Sequence, residues 1–448
     1  MQRSWRTQDG DKVASPDIVV IGGGLIGLLT AAELAERGAS VVVVEKDDIG
    51  FEQSARSVAA VNLPGGTSAG DARSLLRTSA DEWATFADRW GCDIHLNSEG
   101  WHIVIADDQD AEWVSIDRAT WKETSGYPDS ETLDATAARR RFPQLEGPFR
   151  SLDVRHGGHV DAIRVMAGLL AAAKRLRVDV RCGTLVTGFQ TAGEQITGVR
   201  TRHGTVSCDV VVVAAGLWTP DLCDLLGFHI PMQRVRAPAA ETGPLPPGTI
   251  PGFLRASTFG ARQNRNGTIR ITGGYRYSAM LHDLSFRDLR DLRTWGPALW
   301  KNRKDVSFRI DPQVLADEVG SAWARLRAGR NGQAFVPQGY NPTSRPRDRQ
   351  RQLDDLGKLI PAVRHTRIHR AFGGTMDLIP DLQPVIGRIP GWDNGYIAGG
   401  FSGHGYIYGP GACVAVARLI IDHDPGIDIT AYRPERLAEK LSMRNQIF

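Results

Sequence analysis

The chain has 448 residues, roughly three times the length of a domain of about 150, so a single small module is excluded and two domains are plausible. Apolar residues make up 42% and charged residues 23%, which excludes a largely disordered or fibrous chain. The 54 basic and 51 acidic residues leave a net charge of +3, which is too balanced to indicate nucleic-acid binding.

Cysteine usage and the chain ends bear on location. Five cysteines without a C-x-x-C spacing favour a reduced intracellular protein, and we expect it to be cytoplasmic. Residues 1–16 are polar and lack the apolar segment of a signal peptide, so we predict a flexible tail there and a second tail at 436–448. The longest apolar runs, such as 209–216, have the length of strands, so we expect no membrane span.

The first ordered segment predicts a βαβ unit. The apolar run 17–22 is rich in β-branched residues and indicates a buried parallel strand. Residues 25–37 carry apolar side chains at helical spacing, and Gly38 ends that helix. A second strand at 40–44 ends in Glu45.

Further helices and strands follow, and one later strand is similar in composition to the first. Further helices are predicted at 71–90, 161–177 (with Asp161 as its N-cap) and 410–422, strands near 178–189, 196–213, 269–274 and 395–398, and a hairpin or short strands at 94–105. The run 209–216 resembles the first strand, so we predict that separated segments build one sheet and that a second domain is inserted between them.

The basic residues are concentrated in one segment. Residues 283–370 contain 15 Arg and 3 Lys against 10 acidic residues, a local net charge of +8. Helices are predicted near 284–301, 312–328 and 349–360, with a Pro- and Arg-rich loop at 338–347. We interpret the segment as solvated amphipathic helices or an oligomer contact. The alternative is a lid over an acidic substrate or a docking face for a partner.

The glycine-rich turn at 22–27 indicates a dinucleotide site. Gly22 allows the tight turn, Gly24 allows the backbone to approach a pyrophosphate, and Gly27 allows close packing of helix on strand. Glu45, at the end of the next strand, is placed to accept hydrogen bonds from both ribose hydroxyls. The cofactor-binding candidates of this unit are Gly22, Gly24, Leu25, Ile26, Gly27, Glu45 and Lys46.

Three further features favour FAD over NAD. Residues 50–62 supply Ser54, Arg56 and Ser57 where a second phosphate and a flavin would lie. The strand that ends at 214–218 is a second place where the backbone could come close to the cofactor. A glycine-rich loop at 399–406 precedes the last helix, where N–H groups can face the electron-rich N1/C2=O edge of a flavin.

Taken together, these motifs resemble the FAD-dependent amine and amino-acid oxidoreductases related to D-amino-acid oxidase, glycine oxidase and sarcosine oxidase. The opine-oxidase and sarcosine-oxidase β-subunit branch is the most similar in motif. The matching segments are IGGGLIGLLTAAELAERG (21–38), VVVVEK (41–46), EQSARS (52–57), VVVAAGLW (211–218), GTIRITGGY (267–275), PDLQPVIG (380–387) and GGFSGHGYIYGPG (399–411).

The resemblance implies an α/β fold. We expect a Rossmann-like FAD-binding domain with an interleaved mixed-sheet substrate domain. We assign 17–90, 150–225 and 372–435 to the FAD-binding domain, and 91–149 with 226–371, including the basic segment, to the substrate domain.

The resemblance also implies the reaction. A C–H next to an amine nitrogen gives hydride to flavin N5, the imine hydrolyses, and oxygen or another acceptor reoxidises the flavin. The cysteine that tethers flavin in monomeric sarcosine oxidases falls near Gly374, so we expect non-covalent FAD. Two lysines of those enzymes fall at Ile407 and Arg270, which argues against sarcosine and against a fast reaction with oxygen.

The resemblance also implies which residues contact FAD and substrate, because each family motif can be matched to positions in this sequence. The further FAD-contact candidates are Ser54, Arg56, Ser57, Val186, Ala215, Gly216, Trp218, Gly400, Ser402, Gly403, Gly405, Tyr406 and Ile407. The catalytic candidates are His404, Tyr275, Tyr406 and Arg270. His156, His159, His365 and His369 come without a convincing set of further ligands, so we predict no metal site.

The sequence therefore predicts an FAD-dependent oxidase or dehydrogenase of an amino acid or a secondary amine. Two alternatives stay open at this point: a flavin dehydrogenase of 2-hydroxy acids or polyols, and an FAD-binding subunit of a heteromeric amine dehydrogenase complex that is inactive alone. The expected partners are a small-molecule amine and an electron acceptor, with a homo-oligomer or complex through 283–370 possible, and neither nucleic acid nor membrane.

Overall fold

A computed structural model describes residues 16–63, 75–125, 130–276, 280–283, 289–301, 306–310 and 345–438, with single positions between 312 and 323. Both predicted tails lie almost entirely outside the described residues, and so do most of the predicted helix 312–328 and the loop 338–347.

The element order alternates between the two predicted domains. The described strands are β1 (Ile18–Ile21), β2 (Val41–Val44), β3 (Ala60–Val61), β4 (Trp101–Ile105), β5 (Glu131–Asp134), β6 (Ser151–Arg155), β7 (Gly158–His159), β8 (Asp179–Arg181), β9 (Val186–Ala192), β10 (Gln195–Thr201), β11 (Gly204–Ser207), β12 (Val210–Val213), β13 (Gln233–Pro244), β14 (Phe253–Arg255), β15 (Phe259–Gln263), β16 (Thr268–Gly273), β17 (Met280–Asp283), β18 (Val306–Arg309), β19 (Ile368–Leu378), β20 (Val385–Arg388) and β21 (Gly395–Gly399). The helices are α1 (Leu25–Glu36), α2 (Gln53–Arg56), α3 (Leu75–Trp90), α4 (Asp108–Ser125), α5 (Ala135–Arg141), α6 (Ala162–Arg175), α7 (Thr219–Leu225), α8 (Leu292–Lys301), α9 (Pro346–Leu359) and α10 (Gly405–Ile421).

The first sheet is the nucleotide-binding sheet that the sequence predicts. In the described part of the chain it has six strands in the order β20-β21-β12-β1-β2-β8, all parallel except β20 at the edge. β1 and β2 are runs of Val and Ile that are buried on both faces. Helices α1, α6 and α10 share the core on one face, and the antiparallel meander β9–β11 packs on the other.

A larger mixed sheet forms the second domain. Its described strands follow the order β18-β17-β13-β16-β15-β14-β4-β6-β5, and β19 pairs with β13. β6 and β19 lie in this sheet, although the predicted boundaries at 150 and 372 place most of their residues in the FAD-binding domain. The segment 94–105 contributes the single strand β4, which pairs with β6 and β14 and forms no hairpin of its own. The predicted fold class is confirmed.

The last helix begins earlier than its sequence suggests. α10 begins at Gly405 and contains Pro410, which lacks the N–H that would bond to the Tyr406 carbonyl. The indole Nε1 of Trp83 donates to that carbonyl at 2.7 Å instead. A contact with α3 therefore replaces the missing helical bond, and no local pattern reveals it.

The start of α6 follows a local capping rule. The Asp161 carboxylate accepts hydrogen bonds from the Ile163 and Arg164 N–H groups at 2.9 and 3.2 Å, so it is the N-cap of α6, as predicted.

Among the described residues, no helix combines the length and the hydropathy needed to cross a membrane.

Candidate functional site

One large cavity lies where the two domains meet. The carboxyl ends of β1, β2 and β12 line one end of it, and β13, β16 and β19 of the large sheet line the other. Of the predicted cofactor-binding residues, those on its wall are Gly22, Gly24, Leu25, Ile26, Glu45, Lys46, Ser54, Arg56, Ser57, Val186, Ala215, Gly216, Trp218, Gly403, Gly405 and Tyr406. Those that do not line it are Gly27, Gly400, Ser402 and Ile407.

The glycine-rich turn brings backbone very close to backbone. Gly22 has φ of +117°, and a Cβ there would lie 2.3 Å from the carbonyl oxygen of Ala214, the residue that follows β12. A Cβ at Gly27 would lie 1.9 Å from the Gly22 carbonyl oxygen, so Gly27 packs α1 against the turn from behind the wall. These contacts admit glycine alone and open the N-terminus of α1 to the cavity.

Glu45 lies at the neighbouring strand end. Its Oε2 accepts a hydrogen bond from Gly23 N–H at 2.6 Å, and Oε1 accepts one from Asp47 N–H at 2.8 Å. Burial raises the pKa of this carboxyl, whereas the two N–H groups and the nearby Lys46 lower it. The Lys46 ammonium pairs with Asp47 and lies 3.9 Å from the Trp218 ring centre. Acid, cation and indole therefore surround one end of the cavity.

The short helix α2 turns toward the start of α1. The Ser54 hydroxyl oxygen accepts a hydrogen bond from Leu25 N–H at 2.9 Å, so its own proton remains to be donated to another group. Arg56 Nε donates to the Phe51 carbonyl at 3.1 Å, and Nη1 donates to the Gly373 carbonyl at 3.4 Å. These hydrogen bonds hold the Arg56 guanidinium and the Ser54 hydroxyl in place on the cavity wall.

Two buried arginines support this segment from behind. Arg270 donates to Glu241 at 2.6 Å and to the Ser57 carbonyl at 2.6 Å, and Arg262 Nε donates to the Val58 carbonyl. Burial and the neighbouring Arg270 lower the pKa of Arg262 to about 9. Arg270, a predicted catalytic residue, is 3% exposed and does not line the cavity. In the structure, Arg270 instead supports the α2 segment by donating to its backbone carbonyls.

The late glycine loop is held by a carboxylate. Asp377 on β19 accepts hydrogen bonds from Phe401 N–H at 3.0 Å and from the Gln53 amide at 3.0 Å. Burial raises the pKa of Asp377, and bonds from Gln53, Phe401 and Gly403 lower it. We expected the N–H groups of this loop to face a flavin, but the Phe401 N–H donates to Asp377 instead.

Sequence reasoning missed Asp377 and Gln53. Asp377 precedes the PDLQPVIG motif by three residues, and it is the single acid of an otherwise apolar strand end, a signal that was available. The partnership itself joins residues 324 positions apart, which no local pattern predicts.

The other catalytic candidates have different surroundings. Tyr275 donates its hydroxyl to the Val104 carbonyl at 2.9 Å, and its ring stacks on Trp113 with ring centres 4.2 Å apart. His404 precedes α10, and its ring lies edge-on to Tyr408 at 6.3 Å. Neither residue lines the cavity.

Tyr406 is the catalytic candidate that lines the wall. Its hydroxyl donates to the Ser54 carbonyl at 2.9 Å, and its ring stacks on Trp83 at 5.7 Å. Burial raises the pKa of this phenol, so it remains a neutral donor throughout the ordinary pH range.

The cavity fits FAD. The Trp218 indole N–H and the Thr375 hydroxyl on its wall are buried and have no hydrogen-bond partner among the described residues, so the site offers donors that a bound group would satisfy. Gly374, where a tethering cysteine would stand, has open space around its Cα. None of the described lining residues is a cysteine, and all five cysteines of the chain are free thiols. Within the described residues, no cluster of His, Cys, Asp or Glu could hold a metal ion.

Comparison with protein-family models identifies the class. Residues 17–419 match the model of the DAO family, FAD dependent oxidoreductase. The chain belongs to this family, which confirms the resemblance and FAD as the cofactor.

Two distant curated relatives match this chain over 90% or more of their own length. Glycine oxidase of Pseudomonas putida is 24% identical over 433 residues, which cover 94% of this chain and 99% of the relative. Sarcosine oxidase subunit beta of Rhizobium meliloti is 23% identical, over 97% of this chain and 90% of its own. The structure of L-amino acid deaminase from Proteus myxofaciens shares the fold, with a TM-score of 0.83 at 21% identity over 97% of this chain and 96% of that one.

Proposed function

We propose that the chain oxidises the C–N bond of an amino acid or a secondary amine to an imine, which water then hydrolyses. The observation that carries the proposal is one continuous cavity that joins the dinucleotide site at Glu45 to the large sheet at Thr272 and Asp377. When bound, FAD supplies the acceptor for the hydride and passes the electrons to oxygen or another acceptor. Relatives named as glycine and sarcosine oxidases support the substrate class.

The residues that would hold FAD follow the cavity from end to end. Glu45 would accept from the ribose hydroxyls, and the N-terminus of α1 with the Ser54 hydroxyl would receive the pyrophosphate. Trp218 and Lys46 would surround the adenosine end. Arg56 and Tyr406 would lie at the flavin end, which Asp377 organises through the glycine loop.

The charges at the flavin end suit a neutral amine. The substrate nitrogen must lose its proton before the neighbouring carbon can release hydride, and nearby cations disfavour an ammonium ion. Arg56 lines the cavity, with the Glu52 carboxylate 4.0 Å away, and the buried Arg262, which donates to the neutral oxygens of Val58 and Asn264, lies behind it. These cations lower the cost of deprotonating the amine.

The pairing of Arg270 bears on the electron acceptor. Oxygen becomes an anion when it accepts one electron, and a nearby unpaired cation would stabilise that anion. Arg270 is bonded twice to Glu241, which neutralises its charge. This pairing supports a slow reaction with oxygen and a dedicated acceptor, hence a dehydrogenase.

A second candidate is a catalytic subunit of a larger complex. The relative from Rhizobium meliloti is named as a subunit, and it matches 97% of this chain. The +8 segment 283–370 is the surface that we propose for such a contact or for an oligomer. We also propose a cytoplasmic location, which the five free thiols support.

The test is an anaerobic screen of flavin reduction by the purified chain. Amino acids, N-methyl amino acids, opine-like secondary amines and 2-hydroxy acids are mixed with the holoprotein, and loss of the oxidised flavin absorbance is followed. We expect bleaching by an amino acid or a secondary amine. Bleaching by hydroxy acids alone would contradict the proposal, and bleaching only after a partner is added would identify a subunit.

A further inference from the structure

A buried carboxylate on the cavity wall has no described cation beside it. Asp377 on β19 is 3% exposed and lines the cavity. Within the described residues, it has no Lys, Arg or His at ion-pair distance. Arg234, which pairs with it from β13, is bonded instead to Asp221 at 2.6 Å and to the Leu217 carbonyl at 2.9 Å. This part of the wall therefore carries a negative charge that no described cation neutralises.

The hydrogen bonds of Asp377 fit its ionised form. Oδ1 accepts from the Gln53 amide at 3.0 Å, and Oδ2 accepts from the Phe401 N–H at 3.0 Å. An ionised carboxylate only accepts hydrogen bonds, and both oxygens accept here. Burial raises the pKa of this carboxyl, and the two donors oppose that effect. The bonding pattern therefore indicates a charged Asp377.

The other acids of the cavity wall have different surroundings. Glu45 follows β2, away from the large sheet, and has a neighbouring lysine. Glu52 lies 4.0 Å from Arg56, and Asp48 is only half-buried, so water and salt screen its charge. Among the four acids in the described lining, Asp377 thus combines burial, a place at the large sheet and the absence of a described cation.

Asp377 joins the two segments that would lie at the flavin end. Gln53 belongs to α2, and Phe401 belongs to the glycine-rich loop that precedes α10. Both residues line the cavity, as do Arg56 and Tyr406. In a buried site of low dielectric, a charge acts over several ångströms with little screening. The charge of Asp377 therefore acts on the group that occupies this end of the cavity.

We propose that Asp377 lowers the reduction potential of the bound flavin. Hydride transfer moves two electrons and one proton from the substrate carbon to the cofactor, which gains one negative charge and leaves the substrate as an iminium ion. A fixed negative charge on the wall opposes that gain, so Asp377 makes hydride acceptance less favourable and release of the electrons to the next acceptor more favourable. It is a positioning residue, since it acts by its charge and through the loop that it holds. The inference rests on FAD as the cofactor and does not depend on which substrate is oxidised.

The first measurement is the midpoint potential of the flavin in the holoprotein, obtained by spectroelectrochemical titration without substrate at neutral pH. Asp377→Asn removes the charge and keeps an oxygen that can accept from the Phe401 N–H. The equilibrium constant for two-electron reduction should rise about tenfold or more, which corresponds to about 30 mV. Asp377→Glu keeps the charge, so its equilibrium constant should stay within about threefold of that of the unmodified protein.

Sulfite provides a second probe, which needs no amine. Its sulfur lone pair forms a bond to flavin N5, so the adduct gains a negative charge without any oxidant or reductant. Asp377→Asn should bind sulfite about tenfold or more tightly, measured as loss of the oxidised flavin absorbance. The difference between the two proteins should shrink as pH falls toward about 4, because Asp377 is then protonated.

The difference between the two proteins isolates Asp377 from other charges. The charged and titratable residues of the elements packed against this part of β19 are Glu52 and Arg56 of α2, Arg234 of β13 and His404 of the loop. All four are present in both proteins, so their own titration affects both proteins alike. A change that follows the ionisation of Asp377 is an electrostatic effect, which a merely structural role would not produce.

Controls separate the charge from folding. Asp381→Asn removes a carboxylate that pairs with Arg436 at 2.8 Å and does not line the cavity, so the potential and the sulfite affinity should change by less than about twofold in equilibrium constant. FAD content is measured for every variant. If Asp377→Asn does not retain FAD, Gln53→Leu carries the test. Loss of the amide donor raises the pKa of Asp377, so the pH at which sulfite affinity falls should move upward.

The outcomes for this inference and for the proposed function are distinct. Equal potentials and sulfite affinities in Asp377→Asn and the unmodified protein, or a lower potential in the variant, would overturn the inference. A change of the same size at every pH, shared by Asp377→Glu, would also overturn it, since it would reflect loop geometry alone. A screen in which no amine bleaches the flavin would contradict the proposed function and leave these measurements unaffected.

Discussion

Arg262 and Arg270 lie directly opposite each other on β15 and β16, and both donate hydrogen bonds to backbone carbonyls of the 55–58 segment. Two like charges at a paired position destabilise a sheet unless something compensates for them. The Glu241 carboxylate and the carbonyls of Ser57 and Val58 provide that compensation. The second domain thereby fixes the backbone that presents Ser54 and Arg56 to the cavity.

Removing Arg270 should destabilise the fold strongly. Arg270→Met leaves the half-buried Glu241 without its partner, and the free energy of unfolding should fall by about 3 kcal/mol in urea titrations. The double variant Arg270→Met/Glu241→Met should lose less, because no unpaired charge remains. Arg265→Met, at an exposed pair, is the control and should cost less than about 1 kcal/mol. Equal losses in the single and double variants would show that the pair is not coupled.

Gly22 should tolerate no side chain. In Gly22→Ala the new methyl group would lie 2.3 Å from the Ala214 carbonyl oxygen, at a φ of +117°. The strain should cost about 1–3 kcal/mol of stability and lower FAD affinity at least about tenfold. Both are measured by urea unfolding and by FAD titration of the apoprotein. Gly243→Ala is the matched control, since its nearest neighbour atom lies 3.9 Å away. Normal FAD binding by Gly22→Ala would be inconsistent with this geometry.

The indole N–H of Trp218 should contribute to cofactor binding. Trp218→Phe keeps an aromatic ring near Lys46 but removes a buried donor that has no partner in the described part of the chain. One neutral hydrogen bond is worth about 0.5–1.5 kcal/mol, so the dissociation constant of FAD should rise by about 2- to 13-fold.

Trp392→Phe provides the comparison for that variant. The Trp392 indole already donates to the Leu226 carbonyl at 2.8 Å, so its loss should lower stability and leave the dissociation constant of FAD unchanged. Equal FAD affinities of Trp218→Phe and the unmodified protein would show that this N–H does not reach the cofactor.

Asp377 should make stability depend on pH. Burial raises its pKa in the folded protein above the ordinary value of about 3.9, so the folded protein holds this proton more tightly than the unfolded chain does. Stability should therefore fall as pH rises from about 4 through the raised pKa, and Asp377→Asn should lack this decline.

The measurement is urea unfolding of both proteins, saturated with FAD, from acidic to neutral pH. The stability of Asp377→Asn relative to the unmodified protein should increase with pH across that window. A constant difference would mean that Asp377 titrates normally.

Local patterns were enough to predict residues that line one end of the cavity. The turn at Gly22, the acid at Glu45 and the donor at Ser54 each follow within a few residues of a strand or helix end, where short-range geometry determines the backbone. Sequence also predicted the parallel sheet, because uninterrupted Val and Ile runs are stable only when buried on both faces.

The end of the cavity at the large sheet depended on tertiary structure. Arg270 and Tyr275 belong to a segment that sequence identifies correctly, but strand pairing places one beneath α2 and the other against Trp113. Asp377 meets Gln53 across 324 residues of sequence. A strand alternates its side chains between two faces, but the sequence does not say what covers each face. Only the assembled sheets decide that, since their contacts join residues far apart in the chain.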